Sequence, residues 1–379
     1  MTMAADKQDK VLKVPTLRFP EYSDKWLECE LQDIADLSKG AGISKDQLSE
    51  SGESCILYGE LYTKYKSEVI SNVISKTDIE NSNLVRSKAN DVIIPSSGET
   101  AIDISTARCV PYDNILLGGD LNIIRLKEQD GCFFSYQLNG VRKLDIAQIA
   151  QGVSVVHLYG ESLKRLKVRY PSRSEQEKIS SLLSVIDERI ETQNRIIEKL
   201  QSLMKGLAEH LTEFTPNTKI ADCLNCHSSV LQENQVKSEG KYKVYGANGV
   251  CGYSNRPAIL EDAILIVKDG SGVGNVSYAT GEYSVIGTSN YLTAKSGYSL
   301  KYLYYSLMIF NFVPYRTGMA IPHIYFKDYG KALIYCPSLD KQVQIATILS
   351  KIEYMIETEK AITDYYQQQK RFLLESMFI

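Results

Sequence analysis

The chain of 379 residues has one tryptophan, four histidines and ten prolines. No apolar run reaches the roughly 18 residues that a membrane-spanning helix needs, which excludes a transmembrane segment. The opening stretch, MTMAADKQDK, is polar and has no apolar signal core, so the expectation is a cytoplasmic protein with a disordered lead-in over residues 1–16. Charge of neither sign dominates. A formal net charge of −3 neither announces nor excludes a nucleic-acid partner, because such binding depends on a charged face rather than on the total. The eight cysteines are scattered without a compact framework, as expected of reduced, structural thiols.

Catalytic motifs are also missing. Gly270-Ser271-Gly272-Val273-Gly274 lacks the Lys-Ser/Thr ending of a phosphate-binding loop, and the residues after it read as a strand rather than the required helix. There is no Asn-Pro-Pro-Tyr or Asp-Pro-Pro-Tyr stretch of an amino-methyltransferase, no glycine-rich cofactor loop before a helix, and no Pro-Asp…Glu-x-Lys nuclease cluster. The stretch CLNCH (Cys223–His227) fits haem attachment, a zinc site completed by Cys251, or free thiols near a domain start. The first needs export and the second lacks another closely spaced pair, so free thiols and no bound metal are the expectation.

What is present is a repeat. Setting Gly152 against Gly318 gives a gapless match over about 60 residues, ending at Leu211 against Met377. It pairs His157 with His323, Tyr159 with Tyr325, Pro171-Ser172 with Pro337-Ser338, and Gln176 with Gln342. The downstream part of each copy carries apolar residues at alternating steps of four and three, the seam of a coiled coil. In the first copy these are Ile179, Leu183, Ile186, Ile190, Ile197, Leu200, Met204, Leu207 and Leu211. In the second they are Ile345, Leu349, Ile352, Ile356, Tyr366, Leu373 and Met377. Ser174 and Glu177 fit a capping box at the start of the first helix. Neither helix can bury its stripe alone, so the two are expected to pack antiparallel. His157 and His323 are expected to pack or hydrogen-bond at the domain–helix joints.

Outside the helices lie β-like runs broken by Gly, Ser and Asn turns. DVIIPSSGE (Asp91–Glu99) reads as a buried strand ending in a polar loop. DAILIVKDGSGVGNVSYA (Asp262–Ala279) reads as strand, glycine-rich turn, strand. The expected organisation is α+β with a pseudo-twofold internal repeat: globular domain 17–170, helix 171–215, globular domain 216–334, helix 335–379.

VPTLRFPEYSDKW (Val14–Trp26), the joint GVSVVHLYGESLKRLKVRYPSRSEQEKISSLL (Gly152–Leu183) and the series VYGANGVCGY…ILIVKDGSGVG together resemble the specificity subunits of type I restriction–modification systems. The second joint departs from the first in having Lys341 where the first has Glu175. The resemblance implies a non-catalytic chain whose two mixed α/β target-recognition domains each read half of an interrupted, asymmetric sequence in double-stranded DNA. The antiparallel helices would set the spacer and dock two modification (methyltransferase) subunits, with restriction (motor-nuclease) subunits joining for cleavage. SAM, ATP and Mg²⁺ would then belong to those partners, and this chain would bind no cofactor. Base edges are read by polar side chains at loop tips. The candidates are Ser96, Ser97, Glu99 and Thr100 in the first domain, and Tyr245, Asn248, Lys268, Asp269, Ser271 and Arg316 in the second. The competing reading is a non-catalytic coiled-coil scaffold whose two domains bind proteins.

Overall fold

The computed structural model describes residues 14–79 and 83–379. Most of the expected lead-in, residues 1–13, lies outside the described residues. At the described start, the Leu17 N–H donates to the Ser376 carbonyl (2.9 Å) and Pro15 is buried. The chain divides into two compact units, residues 1–193 with 362–379, and residues 194–361. Each long helix is therefore divided between the units.

In the first unit, strands Leu27–Glu30 and Lys167–Tyr170 pair antiparallel and clasp the ends of the domain together. Its main sheet has the order Ala35–Lys39, Leu121–Leu126, Asp91–Pro95, Arg108–Val110, all antiparallel, with Ile123 opposite Ile93. Asp91–Pro95 is buried along its whole length, as a run of consecutive apolar residues should be in a central strand. A second four-stranded sheet includes one parallel pair, with Cys55 opposite Leu116.

The second unit repeats this plan. Strands Thr218–Lys219 and Leu333–Ile334 form the clasp. The main sheet runs Leu224–Ser228, Ser289–Ala294, Ala263–Val267, Val276–Ala279, the same order in the chain as in the first unit. Its companion has three strands and again one parallel pair, with Val244 opposite Ser284. The duplication therefore extends through the globular parts, beyond the stretch where the sequences align without gaps.

A short helix packs on each main sheet, Gly131–Asn139 in the first unit and Leu300–Met308 in the second. Asp130 caps the first by accepting from the Phe133 N–H, and Ser299 caps the second by accepting from the Tyr302 N–H, each satisfying a donor that the helix leaves open. The aligned glutamines hold these caps. Gln176 Oε1 accepts from the Asp130 N–H (2.9 Å) while its amide donates to the Pro171 carbonyl. Gln342 does the same with the Ser299 N–H (2.9 Å) and the Pro337 carbonyl.

The long helices span Arg173–Thr212 and Leu339–Ser376. At 1.5 Å per residue the first is about 60 Å long. It begins one residue before the expected cap. The Ser172 carbonyl accepts from the Glu175 and Gln176 N–H groups, and Glu177 is drawn into an ion pair with Arg173 instead of reaching back to Ser174. Ser338 serves the second helix likewise, accepting from the Gln342 N–H.

All the seam positions are buried or half-buried, but they do more than face another helix. In the first unit, Ile179, Leu183 and Ile186 share one core with Trp26, Phe133 and Tyr170, joined by Leu373 near the end of the other helix and by Met377 and Phe378 just after it. In the second unit, Ile345 and Leu349 share a core with Tyr302, Tyr305 and Ile324, joined by Ala208 and, at its margin, Met204, Leu207 and Leu211. Within each unit, then, the start of one helix lies with the end of the other, and both complete a domain core. The departure at Glu175 also has a cause: buried Glu175 accepts from Nε and Nη2 of Arg18, each at 2.7 Å.

Candidate nucleic-acid interface

The candidate residues of the first unit cluster at the end of strand Asp91–Pro95, but they differ in what they can reach. Ser96 and Ser97 are buried. The Ser96 N–H donates to the Asp120 carbonyl (2.7 Å) and its own carbonyl accepts from the Leu158 N–H (2.9 Å), while Ser97 pairs with His157 in a two-residue ladder. Both serines frame the loop and do not reach outward. Thr100 caps the one-turn helix Ala101–Ile104, accepting from the Asp103 N–H (3.1 Å) and donating to the Asp103 carboxylate (2.6 Å). Its hydroxyl is engaged. Glu99 and Thr100 are both exposed.

In the second unit the candidates come from three loops. Asn248 is exposed at the turn joining strands Tyr242–Gly246 and Gly249–Ser254. Tyr245 is half-buried, edge-on to Tyr283 with ring centres 5.5 Å apart. Lys268, Asp269 and Ser271 come after strand Ala263–Val267, with Ser271 exposed and the other two partly so. Arg316 is exposed and anchored through a 2.8 Å bond to the Val273 carbonyl. Lys268, Asp269 and Ser271 are thus brought beside the Arg316 loop, since Asp269 bridges to His323 and the Gly270 N–H donates to the Pro322 carbonyl (3.0 Å). Lysine and arginine with exposed amide and hydroxyl groups form a set able to meet both phosphates and base edges.

The paired histidines sit at matching joints. The backbones of His157 and Gln151 exchange both hydrogen bonds (2.7 and 2.9 Å), as do those of His323 and Thr317 at the same distances. His323 Nδ1 lies 3.2 Å from the Asp269 carboxylate. The His157 ring has Tyr159 beside it, and that of His323 has Tyr325, at ring-centre distances of 6.1 and 6.3 Å. Both tyrosines are exposed, and nothing in the sequence pattern singled them out as contacts.

The CLNCH stretch does not converge on a metal. The Cys223 thiol is buried and donates to the Ile220 carbonyl (3.3 Å), while His227 hydrogen-bonds Thr293 (3.1 Å) and stacks on Tyr291. Cys251 belongs to a strand of the other sheet and is exposed. Among the described residues no group of three His, Cys, Asp or Glu side chains gathers as a metal site would require, and no helix is long and apolar enough to cross a membrane.

Residues 23–202 and 218–365 match the family model described as the type I restriction modification DNA specificity domain. A protein of Mycoplasma genitalium named as a type I specificity subunit is 29% identical over 178 residues, 42% of this chain and 46% of that relative. The Escherichia coli type I restriction enzyme EcoprrI specificity subunit is 24% identical over 112 residues, 30% of this chain and 28% of that relative. The matched stretches thus span less than half the length of either curated relative. Among solved structures, the type I restriction–modification S subunit from M. genitalium superposes with a TM-score of 0.68 at 19% identity, covering 97% of this chain and 99% of that one. A chain from a structural study of type I system assembly and conformational transition gives a TM-score of 0.53 at 13% identity, covering 93% and 97%. These superpositions establish a shared fold.

Proposed function

Because the chain belongs to the type I restriction modification DNA specificity family, we propose that it is the DNA-reading subunit of such a complex, each globular domain reading one half of a bipartite, asymmetric site. The observation that carries this reading is the duplication: two units with one sheet order but different loop chemistry. One plan repeated supports binding the same kind of ligand twice. Different loops support reading different letters at each place.

In this reading the long helices fix the spacer between half-sites. The unbroken run from Arg173 to Thr212 supports it, since half-site spacing follows protein geometry. The helices would also carry two modification subunits, and exposed apolar residues such as Val185, Leu203, Tyr354 and Tyr365 are available outside the cores. Restriction subunits would join for cleavage. Methyl transfer and motor work, with SAM, ATP and Mg²⁺, would lie on those subunits, and the present chain would act in the cytoplasm without catalysis of its own.

The competing scaffold reading makes a different prediction about salt. If Lys268 and Arg316 meet phosphates, affinity of the full chain with its modification subunits for duplex DNA falls steeply as salt rises. Duplex binding that is absent, or flat across salt, would favour a protein-binding scaffold.

A further inference from the structure

Each unit carries a second feature beside its reading loops. Gln151 and His157 close a loop of five intervening residues, of which 152–155 are exposed, and Thr317 and His323 close its counterpart. The turn is set by Gly152, with φ +124°, and by Gly318, with φ +86°. A Cβ at these positions would come within 2.1 Å of the Val155 carbonyl oxygen and 2.4 Å of the Ile321 carbonyl oxygen. Only glycine fits either position. The loops are thus held in one shape by the same bonds in both copies.

The tips of these rigid loops are apolar and face solvent. Val153 is 96% exposed and Val155 more than half exposed, while Met319 is fully exposed and Ile321 largely so. Val156 is buried and anchors the first loop at its foot. Single exposed aliphatic residues are ordinary on a protein surface. Two at the tip of a fixed loop, repeated with different residues (Val-Ser-Val and Met-Ala-Ile) on the same frame in two diverged copies, form a built feature.

We propose that each tip is a wedge that inserts between stacked bases of duplex DNA, one in each half-site. The inference rests on the DNA-reading function above and adds a deformation step to it. Position argues for DNA. The residue after each loop is bonded to the candidate reading loop, Leu158 N–H to the Ser96 carbonyl (2.9 Å) and Ile324 N–H to the Lys268 carbonyl (3.0 Å). Size argues the same way. A stable protein interface needs about 800 Å² per partner, far more than two aliphatic side chains present, whereas partial unstacking of a base step needs only one or two apolar side chains. Chemistry then assigns the exposed Tyr159 and Tyr325 at the feet of the loops to the phosphates on either side, a common role of tyrosine hydroxyls.

The test uses the full chain assembled with its modification subunits, and duplexes of its methylated motif carrying 2-aminopurine at one position at a time. Wild type should give enhanced fluorescence at one step in each half-site, apart from the bases that the modification subunits methylate. Val153→Ser with Val155→Ser should abolish the signal in one half only and weaken binding about tenfold, with the salt slope unchanged because no phosphate contact is lost. Met319→Ser with Ile321→Ser should do the same in the other half. Val153→Ile with Val155→Ile should keep both signal and affinity. These positions face solvent, so folding should not be at stake. Serine variants matching wild type in fluorescence and affinity would overturn the wedge while leaving the DNA reading intact. A wild-type complex that binds no duplex would overturn both.

Discussion

The Tyr136 hydroxyl donates a 2.8 Å hydrogen bond to the Asp187 carboxylate, and Tyr305 makes the corresponding bond, 2.7 Å, to Glu353 in the second unit. Each joins the short helix on a main sheet to the long helix that comes after it. In the first unit the carboxylate also accepts from Ser67 (2.9 Å) and from Lys370, which in turn meets Glu68. In the second unit the cation is Lys301, 2.7 Å from Glu353, with its ammonium over the Tyr278 ring at 4.0 Å. The acid and the phenol are common to both copies, whereas the lysine comes from different elements.

Removing Asp187 leaves the buried Tyr136 hydroxyl without its carboxylate and the half-buried Lys370 with Glu68 as its remaining ion pair. Asp187→Ala is expected to cost about 3–5 kcal/mol, and Tyr136→Phe about 1.5–3 kcal/mol as the loss of a bond to a charged group. Tyr305→Phe should fall in the same range. Denaturant unfolding of the full chain measures all three, and an Asp187→Ala loss below that of Tyr136→Phe would contradict the network.

The buried phenols give a pH dependence. Burial first, then the charges of Asp187 and Glu353, hold Tyr136 and Tyr304 well above the ordinary tyrosine range, and burial pushes Tyr65 up to about 12. The folded chain therefore keeps protons that the unfolded chain releases near its ordinary pKa of about 10. Their contribution is complete below about pH 10 and is lost as pH rises toward the folded values. The unfolding midpoint should fall above about pH 10, with the late tyrosinate absorbance appearing together with loss of helical circular dichroism. Full tyrosinate absorbance in a chain that remains helical would contradict this assignment.

Ile186 belongs to the same core as Phe133 and Tyr170. Ile186→Asp would bury an unpaired charge, a cost of several kcal/mol. The account expects lower stability and weaker assembly with the modification subunits, with the methylated motif unchanged in whatever complex forms. Genome-wide methylation mapping checks this, and a shifted motif would count against it.

The loops carry their own prediction. Lys268→Ala should reduce the slope of log affinity against log salt by about 0.9, the loss of one phosphate contact. Asn248→Ala should relax preference at one base position of one half-site and leave the slope as it was. Parallel binding titrations on matched and mismatched duplexes separate the two effects.

The repeat and both long helices were legible because a heptad stripe leaves a periodic trace and because a duplicated joint keeps its hydrogen-bonding residues. Gln176 and Gln342 align in the sequence, and both turn out to hold the cap of a short helix. The first long helix starts two residues earlier than a cap at Ser174 implies, since Ser172 is as good a cap as Ser174 and Arg173 pairs with Glu177 in the first turn. Ser96 and Ser97 read as loop residues because small polar side chains look alike on a loop and inside a strand end. The exposed tips at Val153 and Met319 leave no trace in the sequence, for the opposite reason. An aliphatic residue in a sequence suggests a core, and only the frame closed by Gln151 with His157, and by Thr317 with His323, turns it outward.

The central claim is that the two units read separately. Exchanging residues 216–334 for the corresponding domain of another specificity subunit, followed by methylation-aware sequencing of a host carrying the chimera and its modification subunit, tests it most directly. The account predicts a bipartite motif in which one half changes and the other half stays. Changes in both halves, or an uninterrupted motif, would contradict it.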